Sequence, residues 1–174
     1  DSVYEVTRAR IPWLLIGLIG GLIVALIIGK NEEDIKLVPA LAFFMPLIAA
    51  MAGNVGVQSS AIVVQSLASH RKPENIGKKL IKELSVGLFN GLILSVVMYG
   101  AGLLLGYDQL ITLTVSISLL TVIVFASLFG TFIPLMLNRF KIDAALATGP
   151  FITTANDVIG LIIYFQIGRL IIGY

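Results

Sequence analysis

Between residues 37 and 69 no side chain carries a charge. As one helix rising ~1.5 Å per residue, that run would be roughly 50 Å long, against a hydrocarbon core of ~30 Å. It is barely long enough for two crossings and a turn. Pro39, Pro46 and the sequence Gly53-Asn54-Val55-Gly56 lie inside it, which favours a single long or broken helix. Four further runs, 11–29, 84–106, 110–137 and 144–168, are of the same kind, with one acid among them. A spanning helix needs about 20 mostly apolar residues. The expected fold is therefore an all-α integral membrane protein with five transmembrane helices. A membrane barrel would show alternating segments of ~10 residues instead.

Composition agrees. Only 13% of the residues are charged, about half the ~25% of a soluble domain. The net charge of +2 and the lack of a basic stripe interleaved with aromatics exclude a nucleic-acid partner. There is no cysteine, so no disulfide or thiolate metal site forms within the chain. No imidazole falls in a span either. Met45, Met51, Met98 and Met136 read as apolar filler, which argues against soft-metal transport. The chain starts at Asp1, and residues 1–10 carry no signal-peptide pattern. The expectation is a piece of a longer protein.

An odd number of spans puts the termini on opposite sides. Arg8, Arg10, Arg71, Lys72, Lys78, Lys79, Lys82, Arg139 and Lys141 gather on one side, and Lys30, Lys36 and Arg169 on the other. The excess of basic residues marks the cytoplasmic face. The expected orientation is N-terminus in and C-terminus out, in a cell or plasma membrane. Trp13 and Tyr107 fall near the expected interfaces, where amphipathic rings are favoured. His70 reads as a solvated residue of an inner loop.

Within the expected spans the single ionisable acid or base is Asp157, placed near the middle of the last one. A charge there costs ~2.5–3.5 kcal/mol on the insertion scale. No Lys, Arg or His of a span can pair with it, so a bound cation is the simplest completion. Helical spacing puts Thr153, Gly160 and Tyr164 on its face, with Pro150 a turn further back. Ile159, Ile162, Ile163 and Phe165 fall opposite, suited to lipid or packing. Pro150 is expected to disturb the helix and free carbonyl oxygens there. In the second span, Asn54, Gln58, Ala61 and Gln65 share a face, and amides suit a hydrated ion. Gly53 and Gly56 permit close approach or a local break.

Each feature has a plainer reading. Asp157 could be a buried, protonated acid bonded to Asn156, and the amide stripe could only tie helices together. The pairs Gly17–Gly21, Gly87–Gly91 and Gly102–Gly106 match a packing motif. Glu32-Glu33-Asp34 is a wet loop, or an outer vestibule that concentrates cations.

Two stretches, PLIAAMAGNVGVQS at 46–59 and GPFITTANDVIG at 149–160, resemble the transmembrane domain of the MgtE magnesium channels, relatives of the solute-carrier 41 transporters. The resemblance implies a homodimer with an ion path on its two-fold axis. It implies Mg²⁺ as the transported ion, with Ca²⁺ or Mn²⁺ able to occupy the same oxygens. The family's pore aspartate falls on Asp157 and its pore carbonyl on Thr153. A pore asparagine of some members falls on Gly149, so that contact is not carried over. Asn54, Gly56 and Gln58 carry the second-span motif, and Gly149, Pro150 and Gly160 complete the expected pore lining. Residues 1–10 resemble the end of a connecting plug helix, and residues 11–174 the pore domain. Cytoplasmic regulatory domains common in the family are absent from this sequence.

The expected function is thus a Mg²⁺ channel. The alternatives are an ion-coupled Mg²⁺ carrier, for example with Na⁺, and a structural membrane subunit. An intramembrane protease is disfavoured, because an aspartyl type needs two aspartates and no metal-protease motif occurs.

Overall fold

A computed structural model describes residues 2–69, 75–144 and 149–173. Among these the chain is helical throughout: α1 (Val3–Lys30), α2 (Glu32–Leu37), α3 (Ala40–Ala68), α4 (Ile76–Leu104), α5 (Gln109–Arg139) and α6 (Pro150–Ile172). All but the short α2 are long and apolar enough to cross a membrane. The protein is a multi-pass membrane protein of the expected class, with His70, Arg71 and Lys72 outside the described residues.

Polar side chains set the helix starts. Ser2 and Glu5 cap α1 reciprocally, Ser2 N–H donating to Glu5 at 2.8 Å and Glu5 N–H to Ser2 Oγ at 3.3 Å. Asn75 accepts from Gly77 N–H at 2.8 Å to start α4, and Asp108 from Leu110 N–H at 2.9 Å to start α5. These side chains satisfy donors that a helix's first turn leaves open. Gly106 makes the α4–α5 turn at φ +81°, a conformation other residues avoid.

The Gly53–Gly56 stretch does not break α3, which runs past Pro46 as one long helix, the first of the two forms expected. Two boundaries differ from the sequence reading. α4 begins at Ile76, ahead of the expected run 84–106, because Asn75 caps it and Ile76, Leu80 and Leu84 continue its apolar spacing. The last span begins at Pro150, not Ala144. Gly149 stands at φ +94° just before the helix, and Pro150 takes the first helical position, where no N–H is needed. Pro150 therefore starts the helix and frees no carbonyl within it. α6 is regular from there on.

α5 is the centre of the bundle, packed on α3, α4 and α6, while α1 leans on α6 alone among the long helices. In lipid, apolar faces gain little from meeting, and close packing of small residues holds helices together. Gly87 faces Ser127, Gly91 faces Leu120 and Gly102 faces Thr112 across α4–α5. Gly130 of α5 touches the Gly56 carbonyl of α3, and Gly20 of α1 sits on Thr154 of α6. The expected packing pair Gly17–Gly21 meets nothing among the described residues. Leu41, Ile48, Val115, Ile123, Leu161 and Tyr164 fill the interior. Tyr164 donates to the Leu41 carbonyl at 2.9 Å, fixing α6 against the start of α3. Phe165, expected to face lipid or pack, is 2% exposed, because α6 packs on both α3 and α5.

Candidate functional site

α3 and α6 cross where glycines remove side-chain bulk from α3. A Cβ built on Gly56 would overlap the Asn156 amide, and one on Gly160 would lie 3.2 Å from Ala52 Cβ. The α3 backbone therefore lies directly against α6 side chains at this crossing. Beside it opens a recess of about 330 Å³. Gly53, Asn54 and Gln58 line it from α3, and Thr153 and Asp157 from α6. Ala49, Ala50 and Val57 complete it with small apolar side chains.

The structure thus brings Asp157, Thr153, Asn54 and Gln58 into one recess. Spacing explains this: Asn54 and Gln58 are a turn apart on α3, and Thr153 and Asp157 a turn apart on α6. Gly56 and Gly160 are not in the recess. They are buried at helix crossings, Gly56 against Asn156 and Ile152, Gly160 against Ala52, Val122 and Ile48. Gly149 and Pro150 lie at the start of α6, outside the recess. Gln65, two turns from Gln58, is exposed but does not reach it.

Asp157 is partly buried and makes no hydrogen bond or ion pair among the described residues. Asn156 does not bond it: that amide is 1% exposed, and both its polar atoms lack a partner. Because α6 starts at Pro150, Asp157 sits seven residues in, about 10 Å from that end, nearer it than the expected middle. The recess offers oxygens of three kinds: a carboxylate, two side-chain amides and a threonine. They are spread over an opening of several water volumes, an arrangement suited to a hydrated cation rather than a fully stripped one.

The sequence reading missed the acid inside α4. Glu83, one residue before the charge-free run 84–106, lies within α4 and accepts from Ser59 Oγ at 2.6 Å. The Asn75 cap and the Ile76–Leu80–Leu84 spacing were the signals that place it there. At the other end, Arg169 reaches Asp34 at 2.8 Å and donates to Asn31 Oδ1 at 2.7 Å. That clasp ties the end of α6 to the α1–α2 corner. Glu32 is held below the ordinary carboxylate range by its hydrogen bond to Lys36.

Comparison with known proteins gives a family match and several relatives. Residues 45–167 match the family model described as MgtE, divalent cation transporter. The chain is 36% identical over 172 residues to the magnesium transporter MgtE of Bacillus subtilis, covering 98% of this chain and 38% of that protein. It is 34% identical over 165 residues to the magnesium transporter MgtE of Thermus thermophilus, covering 94% and 36%. It is 32% identical over 175 residues to that of Enterococcus faecalis, covering 100% and 39%. The chain spans less than two fifths of the length of these curated relatives.

Proposed function

We propose, from the premise that this chain belongs to the MgtE divalent cation transporter family, that it forms half of a Mg²⁺ channel whose path runs through the Asp157 recess. Two copies face each other across a two-fold axis, with α3 and α6 of each lining the passage. The N-terminus is cytoplasmic, and ions enter toward it.

The observation that carries this reading is the unpaired carboxylate of Asp157, opening on a recess lined by Asn54, Gln58 and Thr153. A charge within the hydrocarbon span is costly without a partner. Symmetry doubles it, and two facing carboxylates repel unless a cation lies between them. Mg²⁺ answers both demands. It gives up water reluctantly and takes octahedral oxygen ligands, so Asp157 holds it through its water shell. The Thr153 carbonyl, bonded once within α6, offers its second lone pair to a shell water. Asn54 and Gln58 orient further waters. Selection then acts on the size and rigidity of the hydrated ion, and Ca²⁺ or Mn²⁺ are able to occupy the same oxygens.

Inward movement needs no chemical coupling. A dication gains ~2.3 kcal/mol per charge for each 100 mV of membrane potential. The oxygen set supplies one acid per chain in the recess, enough for one dication per dimer but not for a second, co-transported ion. That favours a channel over an ion-coupled carrier. The test is Mg²⁺ flux into liposomes. Asp157→Asn keeps the shape and removes the charge, and its flux is expected to fall to the protein-free leak. Native flux from both Asp157→Asn and Asp157→Ala would remove the reading, and single-channel recording separates a channel from a carrier.

A further inference from the structure

Among the described residues, α4 packs on α5 and lays no length of helix against α3. Glu83 of α4 nevertheless reaches α3, where its carboxylate accepts the Ser59 hydroxyl at 2.6 Å. Ser59 is 6% exposed and Glu83 is half-buried. Lys79 stands a turn away from Glu83 on the same face of α4, yet the two form no ion pair. The carboxylate is turned to the serine instead. A hydrogen bond to an ionised acceptor is short and directional, and a partly dry site strengthens it further.

The bond falls at a sensitive level of the bundle. Ser59 is three residues beyond Gly56, where α3 rests on Asn156 of α6 and Gly130 of α5. Glu83 is four residues before Gly87, which rests on Ser127 of α5. Gln58, the neighbour of Ser59, lines the Asp157 recess, about 100° away around the helix. A glycine crossing sets how near α3 comes to its neighbours, but it offers no side chain to stop the helix turning about its own axis. Apolar faces in lipid add little to that. The Ser59–Glu83 bond supplies the missing direction. A turn of about 20° would move a side-chain tip ~5 Å from the axis by about 2 Å. That is enough to take an amide out of hydrogen-bond reach of a given water.

We infer that Glu83 is a positioning residue for the recess: through Ser59 it fixes the rotation of α3, and with it the place of the Gln58 amide beside the hydrated cation. The inference rests on the recess being the ion path. Glu83 does not touch the ion, and its charge serves the bond to Ser59. Asp157 stands on α6, which α4 does not contact, so the carboxylate of the recess keeps its place when the bond is lost. The effect therefore falls on how well the ion is held, more than on how fast it passes once held.

The experiment measures Mg²⁺ flux into liposomes across a range of Mg²⁺ concentrations, with a melting curve on each preparation. Ser59→Ala and Glu83→Leu are each expected to raise the half-saturating concentration about tenfold, the low end of the loss when a group that holds metal-site ligands in place is removed. The maximal rate and the melting point should change less. The double variant should be no worse than either single one, because both remove the same bond. Glu83→Gln keeps an acceptor for the serine hydroxyl and should stay within roughly threefold of native. In a Gln58→Ala background, Ser59→Ala should raise the half-saturating concentration no further.

A general loosening of the bundle would act in every background, so an equal effect of Ser59→Ala with and without Gln58 overturns the inference. So does a Glu83→Gln variant as impaired as Glu83→Leu beside a native Ser59→Ala, because Glu83 would then act on the ion through its charge. Asp157→Asn in the same vesicles separates this inference from the one beneath it. If its flux is lost while the Ser59 and Glu83 variants titrate like the native protein, the recess stands and the positioning role alone falls.

Discussion

Gly53 of α3 lies directly against the carboxylate of Asp157: a Cβ added there would stand 3.3 Å from Oδ1 and 3.1 Å from Thr153 Cγ2. The missing side chain is what lets the α3 backbone form a wall of the recess. Gly56, one turn on, is also buried against α6, but it touches Asn156 on the closed side of the crossing. The two glycines therefore answer to different tests.

Gly53→Ala places a methyl group beside the carboxylate in a contact slightly too tight. Replacing a helical glycine by alanine favours the helix by ~0.5–1 kcal/mol. Thermal stability is expected to hold or rise while Mg²⁺ flux falls severalfold. Unfolding midpoint and liposome flux, measured on the same preparation, check this. Unchanged flux would place the ion path elsewhere.

Gly56→Ala has no such freedom. The added carbon overlaps the Asn156 amide and comes within 3.0 Å of Ile152, while the Gly56 carbonyl already lies against Gly130. Overpacking of this kind costs ~1–3 kcal/mol. The variant is expected to lose stability in a detergent melting assay, with flux per folded molecule changed less than in Gly53→Ala.

The clasp between Arg169 and Asp34 joins α6 to the α1–α2 corner. Asp34's side chain is 14% exposed and Arg169's 42%, so salt screens the pair only in part. A double-mutant cycle with Arg169→Met and Asp34→Asn should give a coupling of ~1 kcal/mol or less. The coupling should shrink as ionic strength rises. Zero coupling at low salt would show that the contact contributes nothing to holding α6.

Much of this architecture could be read from the chain because membrane spans are written in charge-free runs. Residues 110–137 announce α5 by length alone, and within 37–69 the positions of Pro39, Pro46 and the Gly53–Gly56 stretch favour the single crossing that α3 makes. The recess was legible for a related reason. Asn54 with Gln58, and Thr153 with Asp157, are pairs one turn apart, and helical periodicity puts each pair on one face whatever the neighbours are. What the neighbours decide was not legible. Nothing in the order of residues says that Gly53 opens on a recess while Gly56 and Gly160 sit in closed crossings. That depends on the angle at which α6 meets α3. Pro150 reads as a disturbance until Gly149's positive φ makes it a helix start. Glu83 falls outside the charge-free run 84–106 because the charged residues around it mask the cap at Asn75. Phe165 is buried because α6 has protein on two sides, a fact of tertiary packing.

The account turns on whether a dication occupies the space between two Asp157 side chains. The direct measurement is an anomalous difference map from crystals of the protein grown with Mn²⁺ in place of Mg²⁺. The predicted result is a peak on a molecular two-fold axis, flanked by both Asp157 carboxylates and lying beyond the ~2.1 Å of a direct Mg²⁺–oxygen bond. A map with no metal near Asp157, or copies arranged with these carboxylates turned toward lipid, would contradict it.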